Sequence, residues 1–314
     1  MSNLYYDGDQ PEYEMLDGFR AFSFKHIALG DVDPIYTMIR NADMTDNQKK
    51  RMMFSHLMVY DLKSSIPLCS IDDTDLYYDE VYKLFKEEKV GKDRKDVASR
   101  ETNPKSRTFG TQIPKMRTKS PEEWVDIAIN EVKQSLDWGK SIQASKEVPT
   151  FGEYFAFKLS DMIETIFEFD GYNVKYDSGF LKSMPRGALT GYEMVRTGSR
   201  HKFRDKEEIR KCVDMKSFYD VHLEFFSSYA CPHKPTRKIG VTEIETLLCD
   251  YRKMCKGTLK HGDKVYKLKE ALNKYPDLEV SNQLLVGAMP MFERRSELLE
   301  MGTFKISEEH CFKF

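Results

Sequence analysis

The segment from Glu243 to Lys253 contains side chains that could hold an amine beside a phosphate. It reads Glu-Ile-Glu-Thr-Leu-Leu-Cys-Asp-Tyr-Arg-Lys. On a helix, side chains three and four residues apart lie on one face. Four of these side chains share such a face, and a fifth lies near its edge: Glu245, Cys249, Arg252 and Lys253, then Asp250. Carboxylates beside Arg and Lys can bind an ammonium group and a phosphate together, although the same pattern also describes ordinary surface ion pairs.

A second segment, Met184-Pro-Arg-Gly-Ala-Leu-Thr-Gly191, has the composition of a phosphate-binding turn. Gly187 and Gly191 would let the backbone come close to another group, and amide N–H groups at the start of a helix bind phosphate well. Arg186 adds a cation beside them. An ordinary glycine turn explains the same residues, and it is the favoured interpretation when they are considered alone.

Several well-known sites are missing from the sequence. It contains no G-x-x-x-x-G-K-[ST] phosphate loop, no G-x-S-x-G turn and no H-E-x-x-H pair. Cys231 and His233 could supply two metal ligands, yet no C-x-x-C or H-x-x-x-H pair completes a set of four. We therefore predict no metal site here, and the six scattered cysteines indicate reduced thiols.

The composition is that of a globular protein with one large domain or two ordinary ones. Of 314 residues, 40% are hydrophobic and 12% are aromatic, which is enough to build a core. The 49 basic and 51 acidic residues leave a formal charge of −2, which excludes a uniformly basic nucleic-acid binder. Locally the balance differs, because residues 92–119 carry nine basic against three acidic residues, and residues 196–211 carry seven against three.

Helix patterns dominate and strand signals are scarce, so the predicted fold class is mainly α, a helical bundle. Ser120 followed by Pro-Glu-Glu predicts a helix start. Asp46, Thr150 and Thr242 are further candidate caps. A short helix is expected around Val265–Lys274, followed by an irregular tail.

We divide the chain into four consecutive segments. They are a helical part at 1–91, a basic mobile insertion at 92–119, a helical core at 120–260 and an extension at 261–314. The insertion is either a solvated linker or a segment that orders on a phosphate backbone. A membrane-spanning helix needs a run of about 18 apolar residues, and the sequence contains none, so no membrane span is predicted. Residues 1–10 lack the apolar core of a secretion signal, so we expect a cytoplasmic protein.

Taken together and in order, several segments resemble a bacteriophage family, the α-glutamyl/putrescinyl-thymine pyrophosphorylases, which are amino-acid:DNA transferases of phages with hypermodified thymine. The matching pieces are Phe22–Ile27, Asp33-Pro34-Ile35 with Arg40, Asn41 and Asp43, Phe151-Gly152 with Asp161, Pro185–Gly191 and Ile244–Lys253. They cover about residues 20–255 without the basic insertion. The chain departs from the family at Arg186, which interrupts what is commonly a Gly-Pro-Gly turn, and in lacking a Glu-Arg pair near the N-terminus.

The resemblance implies a fold similar to helix-hairpin-helix DNA glycosylases and a phage-encoded enzyme in the host cytoplasm. The implied substrate is DNA that contains 5-hydroxymethyluracil activated as a pyrophosphate ester. An amino acid or polyamine attacks the methylene carbon, and pyrophosphate leaves. No cofactor is firmly implied, although a divalent metal could assist the pyrophosphate.

This chemistry suggests roles for the matching residues. Negative charge gathers on the leaving group, so cations and amides should face it. The candidates for pyrophosphate and DNA binding are Arg40, Arg186, Gly187, Gly191 and Arg252. The candidate catalytic residues are Asp161, Glu245, Asp250 and Lys253, with Asp161 or Glu245 as the base that keeps the amine neutral. Candidate walls for a base flipped out of the stack are Phe151, Tyr154 and Tyr192.

Two alternatives stay open at this point. A helix-hairpin-helix DNA glycosylase would use the same fold and a carboxylate, with water in place of the amine. A non-catalytic DNA-binding accessory protein would need none of the candidate acids.

Overall fold

A computed structural model describes residues 15–87, 89–91, 108–198, 205–211, 214–232 and 237–300. Within these ranges the regular structure is helical, apart from one isolated antiparallel bridge between Ala230 and Lys238. The prediction of a mainly α fold is confirmed. Residues 92–107 of the basic insertion, three of the seven basic residues in 196–211 (Arg200, Lys202 and Arg204), and His233 lie outside the described residues.

The helices are α1 (Met15–Ala28), α2 (Pro34–Asn41), α3 (Asp46–Val59), α4 (Leu62–Cys69), α5 (Thr74–Lys86), α6 (Thr108–Met116), α7 (Pro121–Ser135), α8 (Trp138–Ser145), α9 (Glu153–Ile166), α10 (Ser178–Ser183), α11 (Arg186–Thr197), α12 (Lys206–Arg210), α13 (Asp214–Phe225), α14 (Val241–Cys255), α15 (Asp263–Asn273) and α16 (Glu279–Glu300). None of these described helices is long and apolar enough to cross a membrane.

The chain forms two compact units, each made of separate stretches of sequence. The first unit comprises Met1–Thr37, Val174–Lys267 and Ala288–Phe314, and the second comprises Met38–Asn173 and Leu268–Gly287. Helices that are distant in sequence pack together in each unit, and the sequence-based division into four consecutive segments stays a prediction.

The core of the first unit is the pair α11 and α14, with α1 packed against both. The two helices approach closely at Gly191. A Cβ atom at this position would lie 2.1 Å from the backbone carbonyl oxygen of Leu248. Only glycine fits there, so the close approach expected of this residue is made to α14. Its amide lies in the body of α11, where backbone N–H groups bond to carbonyls of the preceding turn.

The second unit is built around α3, which packs against α4, α7 and α9. Aromatic rings fill its interior, and Phe54 stacks on Phe151 with 6.0 Å between ring centroids. The Ser55 and Tyr77 hydroxyls lie 3.0 Å apart in this core. A buried polar pair of this kind remains hydrogen-bonded although water is excluded.

One predicted helix start is confirmed and three are wrong. Ser120 caps α7 and forms a capping box with Glu123. Asp46 is instead the first residue of α3. Thr45 is the cap, and its side chain accepts a hydrogen bond from the Gln48 backbone amide.

Thr150 has a left-handed backbone with φ of 73°, and Gly152 precedes α9 as its cap. Thr242 lies inside α14, whose cap is Gly240. The Gly240 amide donates to the Glu243 carboxylate at 2.7 Å, so an acid in the first turn satisfies the helix end there.

Two predicted irregular regions contain helices. Within the expected basic loop, residues 108–116 form α6, which is anchored by the buried side chains of Ile113 and Met116. The expected irregular tail contains the 22-residue helix α16. Its buried side chains recur at helical spacing: Leu284, Ala288, Met291 and Phe292. Pro290 lies inside this helix.

Replacing Gly191 with Ala should destabilise the protein by about 2 kcal/mol or more, because the added methyl group meets backbone that cannot rotate away. Urea unfolding of Gly191→Ala against wild type measures this loss. Gly152→Ala is the matched control, since a Cβ there meets nothing within 4 Å. Equal stability of the two variants would contradict the close approach of α11 and α14.

Stability should also fall in mild acid because of His222. Burial lowers the pKa of this side chain to about 4 from an ordinary 6.5. Between these values the unfolded chain binds the proton first, so the free energy of unfolding decreases as pH falls, by up to about 3 kcal/mol. His222→Gln should flatten the pH profile of urea unfolding between pH 6.5 and about 4. Parallel profiles for wild type and variant would refute this contribution.

Candidate functional site

The charged side chains that the sequence predicts on one face of α14 lie mostly inside the first unit. Glu245 and Asp250 are buried, while the Lys253 side chain is 39% exposed. The sequence pattern predicts these residues on one helical face, and the structure places Asp250 and Lys253 in direct contact, with 3.1 Å between the ammonium and carboxylate. These side chains of α14 therefore belong to a buried charge cluster, which reaches the surface at Lys253.

Asp250 is the centre of this cluster. Its Oδ2 atom accepts from His26 Nε2 at 3.1 Å and forms an ion pair with Lys264. Burial disfavours the ionised carboxylate, but the charges of Lys264 and Lys253 and the hydrogen bond from His26 outweigh it. Together they hold the pKa of Asp250 well below its usual range. A carboxylate this acidic is a poor proton acceptor, so Asp250 is better suited to orienting its partners than to acting as a base.

Asp33 extends the cluster toward the start of α2. Its Oδ2 atom accepts a hydrogen bond from the Thr246 hydroxyl at 2.5 Å, and its Oδ1 atom lies 3.9 Å from Lys264 Nζ. Burial disfavours the Lys264 ammonium, but Asp250 and Asp33 outweigh that cost and raise the pKa of Lys264. Lys264 is therefore a fixed cation.

A histidine pair adjoins the same cluster. His26 Nδ1 lies 3.4 Å from His261 Nδ1 and 3.8 Å from Asp31 Oδ2. Asp31 is held by the Gly262 amide at 2.7 Å and by Arg295 Nη1 at 3.4 Å. The side chains of His26, Asp31 and His261 can supply ligand atoms to one metal ion. Burial and the neighbouring His26 lower the pKa of His261 well below its usual range.

The sequence pattern did not single out His26, Asp31, His261 or Lys264 as functional residues. One signal was available, because His26 lies inside the matching segment Phe22–Ile27. The other three residues belong to no motif, and only the packing of α1, α14 and α15 reveals them.

The glycine segment contributes more to packing than to an open turn. Gly187 faces α14, where an added Cβ would lie 2.7 Å from Cys249 Sγ and 3.7 Å from Arg252 Nη2. Gly187 and Arg252 are thus brought together as neighbours. Arg186 is the exposed first residue of α11, where a cation and free amides can meet an anion.

The remaining predicted residues of this unit are core residues. The Cys231 thiol lies 3.4 Å from the Glu243 carboxylate, to which it donates. Tyr192 is buried and packs edge-on against Phe218, with 5.2 Å between ring centroids. The expectation that Tyr192 forms a wall for a flipped base is wrong in this arrangement, because its ring is already covered by core side chains.

The other candidate residues belong to the second unit. Asp161 is buried in α9 and accepts from Lys158 Nζ at 3.1 Å. Phe151 is a core residue and not an open wall, whereas Tyr154 is half-buried and its hydroxyl lies 2.7 Å from that of Tyr60. That Asp161 acts together with the α14 residues stays a prediction.

Arg40 lies at a basic pocket of the second unit. The pocket has a volume of about 570 Å³, and its lining includes four cations: Arg40, Lys49, Lys50 and Lys133. Arg40 donates to the Thr165 carbonyl at 3.2 Å and pairs with Glu168. Burial lowers the pKa of Lys49 in this setting. An excess of cations in a concave site favours an anionic group such as a phosphate.

Comparison with known proteins relates most of the chain to phage enzymes. No family model matches the sequence. The chain is 19% identical over 291 residues to a glycinyltransferase of Pseudomonas phage PaMx11, which covers 88% of this chain and 97% of that protein. It is 24% identical over 255 residues to a putrescinyltransferase of Delftia phage PhiW-14, which covers 78% of this chain and 75% of that protein. This chain is a homologue of these phage transferases. The expected relationship to phage amino-acid and amine transferases is therefore confirmed.

Asp250 should be needed for stability because it balances buried positive charge. Asp250→Asn keeps the shape but removes the charge that holds Lys264 and Lys253, so the free energy of unfolding should fall by about 3 kcal/mol. Urea unfolding measures the loss. Adding Lys264→Met in the same chain should restore part of it, because the uncompensated cation is then removed as well. Strictly additive losses would show that the two side chains do not interact.

Proposed function

We propose that the protein transfers an amino acid or an amine to a modified thymine base in phage DNA. The observation that carries this proposal is the similarity, along 88% and 78% of the chain, to proteins named glycinyltransferase and putrescinyltransferase. The two names specify different transferred groups, an amino acid and a polyamine. The nucleophile of this chain is accordingly of the same chemical class, a primary amine.

The proposed electrophile is 5-hydroxymethyluracil in DNA, activated as a pyrophosphate ester. The amine nitrogen attacks the methylene carbon on C5 of the base and forms a C–N bond. The C–O bond to pyrophosphate breaks, and pyrophosphate leaves with the electron pair. A carboxylate takes a proton from the amine beforehand, so that its nitrogen is neutral when it attacks, and the new ammonium group releases its extra proton to solvent. Every atom of the reaction comes from the two substrates, so no redox cofactor is required.

The cations of the first unit suit the leaving group. Lys253 is partly exposed, and its position is set by Asp250 at 3.1 Å. Arg252 lies beside Gly187, and Arg186 is exposed at the start of α11. Cations fixed in advance stabilise developing negative charge without having to reorganise. The basic pocket at Arg40 is a second place for a phosphate, either of the DNA backbone or of the leaving group.

Glu245 is the favoured proton acceptor among the carboxylates of the first unit. It is buried, and the Thr246 hydroxyl lies 3.5 Å from its Oε2 atom. Asp250, by contrast, is locked as an anion by two lysines and a histidine. Asp161, 3.1 Å from the ammonium of Lys158, is the alternative base. A fold similar to helix-hairpin-helix glycosylases, which take the target base out of the stack, stays part of the proposal.

The test is mass spectrometry of nucleosides after the purified protein is incubated with pyrophosphorylated DNA and either glycine or putrescine. We expect an adduct in which the amine nitrogen is joined to the methylene carbon, together with one equivalent of released pyrophosphate. Free base and abasic sites would instead identify a glycosylase and refute the proposed transfer reaction. Unchanged DNA with tight binding would point to an accessory role.

Variants of the two candidate bases separate their roles. Glu245→Gln should lower the rate of adduct formation by about 10²-fold or more, the usual contribution of a general base. If Asp161 is the base instead, Asp161→Asn should lower the rate of adduct formation in the same way. Glu297→Gln, which changes an exposed carboxylate that pairs with Arg294 on α16, is a matched control for loss of a negative charge. A full rate in both Glu245→Gln and Asp161→Asn would exclude these residues as the base.

A further inference from the structure

We propose that His26, His261 and Asp31 form a binding site for one divalent first-row transition-metal ion, with Zn²⁺ as the reference ion. The ligand atoms are His26 Nδ1, His261 Nδ1 and one carboxylate oxygen of Asp31. All three lie within 4.8 Å of one another, and all belong to the first unit. The proposal concerns metal binding alone and does not depend on the reaction that the protein catalyses.

The two histidine nitrogens are spaced as in a tetrahedral metal centre, and the Asp31 carboxylate lies slightly farther away. Zinc bonds to histidine nitrogen are about 2.0–2.1 Å long, which puts neighbouring ligand atoms of a tetrahedron roughly 3.4 Å apart. The two Nδ1 atoms lie 3.4 Å apart, and Asp31 Oδ2 lies 3.8 Å from His26 Nδ1. Small movements of the Asp31 carboxylate would complete the geometry.

The surroundings orient His26 as a metal ligand. Its Nε2 atom lies 3.1 Å from Asp250 Oδ2, and an N–H group at Nε2 satisfies this contact. That tautomer leaves a lone pair on Nδ1, the atom that faces His261. A carboxylate that holds the distal nitrogen of a ligating histidine is a recurrent arrangement in metalloproteins. Phe22 stacks on the His26 ring, 4.8 Å between centroids, and fixes its plane.

Asp31 is oriented in a similar way from the other side. Its Oδ2 atom accepts from the Gly262 amide at 2.7 Å, and its Oδ1 atom accepts from Arg295 at 3.4 Å. A carboxylate oxygen has two lone pairs, so either oxygen can still face a metal. Asp31 and Arg295 are both buried, and His261 is half-buried.

The donor set indicates the class of metal. Two imidazole nitrogens and one carboxylate suit zinc, iron, cobalt or nickel better than magnesium or calcium, which prefer oxygen ligands. Three protein ligands leave at least one coordination position for water or another molecule. An open position of this kind distinguishes the site from a closed structural zinc site.

The test is metal content and metal titration of the full-length protein, purified without chelators or a histidine tag. We expect about one equivalent of a transition metal by elemental analysis, or one equivalent of Zn²⁺ bound when the stripped protein is titrated. Co²⁺ should give the visible absorption bands of a four-coordinate ion. Zn²⁺ should also raise the melting temperature of the stripped protein, because it binds only the folded state.

Variants connect the signal to these residues. His261→Gln should abolish the Co²⁺ bands, and Asp250→Asn should weaken Zn²⁺ binding by about 10- to 100-fold, since it removes the negative charge of the group that holds His26. His222→Gln is the matched control, because His222 is a buried histidine of the same unit that binds the Phe218 carbonyl instead. Circular dichroism checks that each variant is folded. Absence of any bound transition metal in the wild type, or equal binding by folded His261→Gln, would overturn the proposal.

Discussion

The first unit depends on one buried carboxylate, that of Asp250. Around it lie Lys253, Lys264 and His26, which come from α14, α15 and α1. Burial of a single charge costs several kcal/mol. The surrounding partners offset this cost only while the three helices that carry them keep their relative positions. The carboxylate is therefore a positioning group: it fixes a partly exposed lysine on one side and a histidine ring on the other. Both the proposed transfer site and the proposed metal site follow from that arrangement.

A second constraint sets the distance between the helices that carry these groups. At Gly191 the backbones of α11 and α14 are so close that no side chain fits between them. The contact keeps Gly187 against Cys249 and Arg252, so that Arg252 of α14 lies beside the start of α11. Glycine thus serves the site indirectly, because it determines where one helix stands relative to its neighbour.

The helical character and the chemistry-bearing segments could be read from the sequence. Ser120 and Glu123 close a capping box within four residues, so the start of α7 depends only on local contacts. Local signals failed where a competing group was better placed, as when Thr45 and Gly240 capped helices in place of Asp46 and Thr242. They also failed for α16, whose interior Pro290 is tolerated because buried side chains on both sides hold the helix together.

By itself the sequence determined that the protein is mainly α, that α14 carries acids and bases at helical spacing, and that glycines recur in α11. These properties rest on residues close together along the chain. Tertiary structure alone decided that Asp250 meets His26, 224 residues away, and that His26 meets His261, 235 residues away. Such contacts arise from the way helices pack, which depends on many side chains at once and leaves no local pattern. The charges were visible in the sequence, but their partners became visible only in the fold.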